Sequence, residues 1–318
     1  MSKLALRVMR GSGIFSLTRA CSAKMARILV YHNFSGQVSN DPNALSVEGV
    51  RTQFHYLRRH YKVVPLMQIA EQLASGRALD ARMVALTIDD GRRNCYKFLF
   101  PMLQEFELPA TFFVVSSFIR REDWIWTDKI MWLSEQPKPP DELAGNGLED
   151  FFRLLNRLRP EDRNARITNV AQSVGAPIPR IPPAKYAPSS WSELQEMANS
   201  GLVEIGSHTV THPILSSVTD EESWLELTRS RAQIEEGLGR KVRSFCFPNG
   251  MAGDFRPSQL RQVREAGYEC SVISQFGMVD GHSDPYQLPR IGVARKSKIL
   301  EFSKYVDGVV HYQQKLGF

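Results

Sequence analysis

Seven short apolar runs constrain the fold most: RILVY from Arg27, YKVVPL from Tyr61, RMVALTI from Arg82, ATFFVV from Ala110, LVEIGSH from Leu202, VRSFCF from Val242 and CSVIS from Cys270. Short runs this rich in Val, Ile, Leu and Phe read as parallel strands covered on both faces. Helical stretches with recognisable ends lie between them. Ser192 opens SELQEMANSG, with Gly201 as its stop, and Thr219 with Glu222 three residues on forms a capping box ahead of EESWLELTRSRAQIEEGLG. Such alternation implies β/α units. About seven of them suit a closed α/β barrel better than a small open sheet, with the doubly wound arrangement as the alternative.

The rhythm breaks between about 135 and 187. There PKPP, a helical FFRLLNRLRPEDRNARITNVAQSV and the proline-rich APIPRIPPAKYAP follow one another. This reads as an insertion into one barrel domain spanning 27–318, acting as a lid or flap, with the prolines fixing an extended return path. Residues 1–26 form a basic segment of their own.

The formal charge of +6 is explained by position. Lys3, Arg7, Arg10, Arg19, Lys24 and Arg27 all precede the first acidic residue, Asp41, and the remainder of the chain is balanced. A balanced body without a basic stripe argues against nucleic acid as a partner. Arg7, Arg10 and Arg19 interrupt the apolar runs that an export signal needs, so the expectation is a cytoplasmic protein. A terminal helix packed on the domain, peripheral contact with the inner membrane face, or a transit peptide, which its Arg, Ser and lack of acid resemble, would account for the basic segment. Cys21, Cys95, Cys246 and Cys270 have no metal-knuckle spacing and are expected as free thiols.

Chemistry concentrates where two of the strands end. RMVALTI runs into Asp89-Asp90-Gly91, which puts two carboxylates at the end where barrels carry their active sites. Successive strand residues point to opposite sides, so neighbouring acids serve different roles unless the chain turns, and Gly91 permits a turn. A helix cap and a solvated loop is the plainer reading of a bare Asp-Asp-Gly. LVEIGSH runs into His208-Thr-Val-Thr-His212-Pro213. One helical turn would align the two imidazoles, whereas Pro213 favours an irregular loop, and either arrangement can chelate. Two histidines and a carboxylate make a facial set with open positions.

Together these residues resemble the polysaccharide deacetylase family, also called carbohydrate esterase family four or the NodB-homology fold. Its T-F-D-D-G motif appears as Thr87-Ile88-Asp89-Asp90-Gly91, and its H-S/T-x-x-H-P motif as His208, Thr209, His212 and Pro213. The end of its third motif appears as Phe245-Cys246-Phe247-Pro248-Asn249-Gly250. The resemblance implies a distorted (β/α)7 barrel, Asp89 as catalytic base, and Asp90, His208 and His212 on a divalent metal. By ligand type that metal is zinc, with Co2+, Ni2+ or Mn2+ fitting similar ligands. It implies removal of N-acetyl groups from amino sugars such as N-acetylglucosamine in an oligosaccharide, polysaccharide or lipid-linked precursor. A backbone N–H near Asn249 is expected to meet the oxyanion.

The chain departs from the family pattern twice. No Leu-x-Leu-His motif supplies a proton donor near the C-terminus, and Cys246 stands where an arginine usually orients the base. His32, ending the first strand, is the leading substitute acid, ahead of His282 in the loop VDGHSDP and of Asp89 returning its own proton. Arg290 is expected either at the substrate or supplying the charge missing at Cys246. Pro248, Asn249 and Trp126 complete the expected substrate side, with core packing the plainer reading of Trp124, Trp126 and Trp132. A deformylase acting on the same site and a silent carbohydrate-binding homologue are the competing functions.

Overall fold

The computed structural model describes residues 3–36, 44–143, 147–293 and 298–317. Its centre is built from β1 (Arg27–Tyr31), β2 (Met83–Ile88), β3 (Ala110–Val114), β4 (Val203–Ser207), β5 (Ser244–Cys246), β6 (Cys270–Phe276) and β7 (Leu288–Gly292). Each strand pairs in parallel with the next, and β7 pairs with β1. The deciding pairing is β1 with β2, in register from Arg27↔Val84 to Tyr31↔Ile88. It closes the sheet into a seven-stranded barrel and excludes the doubly wound alternative. Every residue of β1, β2 and β3 is buried, as continuous apolar runs require.

Two local expectations are corrected. In YKVVPL only Lys62–Val63 is extended, beside the first residues of β2, and Pro65 then opens the helix Leu66–Ala74. The seventh barrel strand is instead Leu288–Gly292. Its proline and buried arginine keep it out of the apolar runs, although Arg290 is expected to end or enter a late strand, and its register against β6 shifts between Leu288 and Arg290. The helix assigned to start at Ser192 is capped two residues earlier. Ser190 accepts from the Glu193 N–H and Glu193 returns the bond to the Ser190 N–H, opening Trp191–Asn199. The Thr219–Glu222 box is present as read, and Gly239 ends that helix in the left-handed region.

The basic segment forms helices Lys3–Gly11 and Ile14–Cys21, with Phe15 buried against Val309. Arg27, fully buried, donates to the carbonyls of Ser22 (2.8 Å) and Val306 (3.0 Å), tying the segment and the C-terminal helices to the start of β1. No helix among the described residues is long and apolar enough to cross a membrane.

Within 135–187 lie helices Gly147–Leu155 and Pro160–Ser173. Phe151, Leu155, Ile167 and Val170 bury themselves against Trp126, Ile130 and Leu133 of helix Trp126–Ser134, and against Ile214 just beyond the His208–Pro213 loop. The return path is also fastened. The Arg93 N–H donates to the Ala187 carbonyl (2.9 Å) and the Ser189 N–H to the Gly91 carbonyl (3.0 Å), so the segment ends by clasping the Asp-Asp-Gly turn. Residues 144–146 of the insertion, and the first two of the basic segment, lie outside the described residues.

Candidate active site

The chain turns sharply as it leaves β2. Asp90 has φ 80° and Gly91 φ 86°. The φ of Gly91 is one that other residues rarely adopt, and a Cβ there would also press on Ile119 Cδ1 at 2.9 Å and Val114 Cγ1 at 3.1 Å. This turn separates the two carboxylates. Asp90 faces the histidines, while Asp89 points across the barrel.

The His208–Pro213 segment is an irregular loop and not a helical turn, which settles the alternative left open by Pro213. Thr209 (φ 69°) and His212 (φ 58°) both sit in the left-handed region. With Asp90 and Asn249 (φ 57°) they make four of the seven such non-glycine residues among those described, and all four lie at this site. Each costs about 1–3 kcal/mol and persists only where surroundings enforce it. The enforcement is visible. Glu226 accepts from the N–H groups of Val210 (2.7 Å) and Thr211 (3.0 Å), the His212 N–H donates to Thr209 Oγ1 (3.0 Å), and Trp126 Nε1 donates to the His212 carbonyl (3.0 Å).

Donor chemistry at the end of this loop suits a metal ion. His208 Nδ1 lies 2.7 Å from the Cys246 carbonyl, which can only accept, so Nδ1 carries the proton and Nε2 offers a lone pair. His208 Nε2 and His212 Nε2 face Asp90 Oδ1 at 3.8 Å and 3.7 Å, too far for hydrogen bonds. Asp90, His208 and His212 offer ligand atoms within 4.8 Å of one another, all buried. Burial and the neighbouring His208 push the His212 pKa down to about 3 against the pull of Asp90, keeping that imidazole neutral as a ligand must be. Asp89, His208 and Cys246 form a second close group. There, however, Arg290 already donates to both Asp89 and the Cys246 sulfur (3.2 Å).

These residues open onto a cavity of about 490 Å³, whose lining includes His32, Asp89, Asp90, His208, His212 and Asn249. The family model described as polysaccharide deacetylase matches residues 76–271, more than half of the chain and all of this constellation except His32. The chain belongs to the polysaccharide deacetylase family. It is 24% identical over 306 residues to the poly-β-1,6-N-acetyl-D-glucosamine N-deacetylase of Escherichia coli K12, an alignment covering 87% of this chain and 38% of that protein. It therefore spans well under half the length of that relative. Among solved structures, IcaB from Ammonifex degensii superposes with a TM-score of 0.62 at 19% identity, covering 89% of this chain and 97% of that one. The Streptococcus pyogenes deacetylase PplD gives 0.62 at 14% identity, covering 89% and 99%.

This polysaccharide deacetylase family member handles the missing third-motif arginine from another strand. Arg290 of β7 grips Asp89 with both nitrogens of its fork, Nη1 to Oδ1 at 2.8 Å and Nη2 to Oδ2 at 2.7 Å. Its Nε donates to the Ile273 carbonyl (3.1 Å). Burial alone would raise the Asp89 pKa, but the guanidinium overcomes it and holds the carboxyl below its usual range. Burial pushes the Cys246 thiol well up, so it stays neutral and donates weakly to Asp89 Oδ2 (3.6 Å). Arg290 is thus buried behind Asp89 and does not line the cavity, which corrects its placement among the substrate contacts. Pro248 is also buried off the cavity.

His32 sits at the rim, 41% of its side chain exposed, with Nε2 3.6 Å from Asp89 Oδ2. Desolvation by its neighbours lowers its pKa, and Asp89 opposes that shift. His282 lies in an exposed turn and is not among the residues lining the cavity. Trp126 lines the cavity yet is only 4% exposed; its ring packs under Arg163 (4.6 Å) and its N–H serves the His212 carbonyl. Trp124 and Trp132 lie edge to face within the hydrophobic packing. Asn249 faces the cavity, while its side chain is spent on Asp254 (2.6 Å).

The sequence reading missed Arg92 and Asp128, both buried and both lining the cavity, and the wall residues Phe152, Asn156 and Tyr186. Arg92 follows the Asp-Asp-Gly turn by one residue and offered a signal. The wall residues offered none.

Proposed function

We propose that this chain is a metal-dependent hydrolase that removes acetyl groups from N-acetylglucosamine units of a polysaccharide. The substrate named for its Escherichia coli relative, poly-β-1,6-N-acetyl-D-glucosamine, is the first polymer to test. One observation carries the reading. Two adjacent acids diverge at a strand end, one facing the Nε2 atoms of His208 and His212 and the other gripped by the Arg290 guanidinium.

Asp90, His208 and His212 would hold the ion, zinc by ligand type, and a divalent ion there supplies a Lewis acid that polarises the amide carbonyl and acidifies water. Asp89 is the base. Its carboxylate is ionised and oriented by Arg290, and it takes the proton from the attacking water. The Asn249 N–H, which no described residue accepts, supports the developing oxyanion. We assign protonation of the departing amine to His32, which is close enough to Asp89 to take up the proton that Asp89 has gained.

Acetate release from N-acetylglucosamine oligomers, followed with and without a chelator, tests the proposal. Asp89→Asn should bind zinc as the wild type does while kcat falls by about 10² to 10⁴. Formate released from a formylated analogue with no acetate from the oligomers would transfer the site to the competing deformylase reading. Normal turnover by Asp89→Asn would end both.

A further inference from the structure

Asp90 is held through one of its oxygens. Arg92 Nη1 pairs with Asp90 Oδ2, while the other oxygen, Oδ1, faces both Nε2 atoms. The same guanidinium makes a two-point contact with Asp128, Nη2 to Oδ1 at 2.6 Å and Nε to Oδ2 at 3.1 Å. All three side chains are buried, Asp90 5% exposed, Arg92 8% and Asp128 2%. Asp90 and Arg92 share the turn that leaves β2, whereas Asp128 lies in the first turn of helix Trp126–Ser134, the helix against which the 147–173 helices pack. A buried cation shared between two carboxylates divides its charge between them, and whichever acid is lost hands the whole cation to the other.

We infer that Arg92 and Asp128 form a positioning pair that confines Asp90 to one ligating oxygen, with Asp128 setting how much of the Arg92 charge Asp90 feels. The inference rests on Asp90 being a metal ligand, as in the proposed function. It assigns neither residue contact with substrate. Without Asp128, Arg92 commits fully to Asp90 and competes with the ion for that carboxylate. Without Arg92, both Asp90 oxygens are free and a second negative charge stands uncompensated beside the site. The two single substitutions therefore move metal affinity in opposite directions, which a pair that merely supports the fold cannot do.

Zinc titrated into metal-stripped protein by calorimetry, with thermal melts of the stripped variants as the folding control, separates these cases. Asp128→Asn should weaken zinc binding by about ten- to a hundredfold, the usual range for a group supporting a ligand. Arg92→Met should bind zinc at least as tightly as wild type, with kcat about tenfold lower as Asp90 loses its single orientation. The double variant Arg92→Met/Asp128→Asn should recover most of the affinity that Asp128→Asn loses. Loss of affinity in both single variants, or a double variant weaker than Asp128→Asn, overturns the inference. Should Asp128→Asn not fold, Arg92→Met alone decides, since weaker zinc binding there contradicts it. Wild-type protein that binds no zinc would instead remove the metal reading beneath it.

Discussion

The floor of the cavity and its wall are held together by different physics. The floor is strand ends and the loops that leave them, with Asp89, Asp90, His208 and His212 fixed by buried ion pairs and by backbone in costly left-handed conformations. The wall comes largely from 147–186, where Phe152 lies on helix Gly147–Leu155 and Asn156 directly follows it, in an apolar cluster apart from the main barrel core, and Tyr186 packs with Trp124 in another. Ion pairs and strained turns set positions to fractions of an ångström, whereas packed helices define a shape. Substitutions in the floor should therefore act on kcat and metal binding, and substitutions in the wall on KM.

The largest effect expected is at the floor's second histidine. His212→Ala removes one of the three proposed ligands and should abolish both zinc retention and turnover, read by metal analysis of the purified protein beside acetate release. If that variant kept its zinc, the division between a ligating floor and a shaping wall would fail at its first point. His32→Ala comes next. Loss of a general acid costs about 10² to 10⁴ in kcat, with zinc content unchanged. Full activity would return His32 to the rim as a bystander and leave Asp89 to deliver the proton itself.

Arg290→Met is the sharper probe because it touches the base without touching the ligands. Asp89 works as a base above its pKa and fails as pH falls through that value. With Arg290 gone, burial is opposed less and the Asp89 pKa rises, so the acid limb of kcat/KM should move to higher pH. Removing one partner of a buried pair also costs about 3–5 kcal/mol of stability, so the melting temperature should drop. Arg290→Lys, which keeps the charge but not the fork, should restore part of the pH profile. An acid limb that stays in place would show that the Arg290 pairing is structural only.

The same contrast explains how much could be read in advance. Floor residues follow directly from short-range sequence rules: an apolar run fixes a strand, the strand end fixes an end of the barrel, and Gly91 or Pro213 fixes a turn. Long-range pairing was harder to see. Arg290 reaches Asp89 across 201 positions, from a late strand whose Pro289 and arginine break the apolar pattern that marks the others. The count of about seven units was correct while one unit was misplaced, because YKVVPL has strand composition yet gives two extended residues before Pro65 turns it into a helix. Nothing in FFRLLNRLR marks Phe152 over Phe151 as the ring that reaches the cavity; that choice depends on how the helix packs on Trp126.

Phe152 therefore gives the smallest and most selective test. Its ring lies 6.0 Å from that of Trp126, tilted by 56°, half-buried at the cavity edge and opposite the strand ends that carry the carboxylates. An aromatic contact of this kind contributes about 1 kcal/mol, so Phe152→Ala should raise KM for an N-acetylglucosamine oligomer roughly fivefold. Because the ring touches neither the base nor the ligands, kcat and zinc affinity should hold, and the same substitution should matter less for a single sugar than for a longer oligomer. A fall in kcat with KM unchanged would mean that the wall transmits its packing to the His208–Pro213 loop through Trp126, whose N–H holds the His212 carbonyl. In that case wall and floor would be one mechanical unit, and the Trp126 contact would be the joint between them.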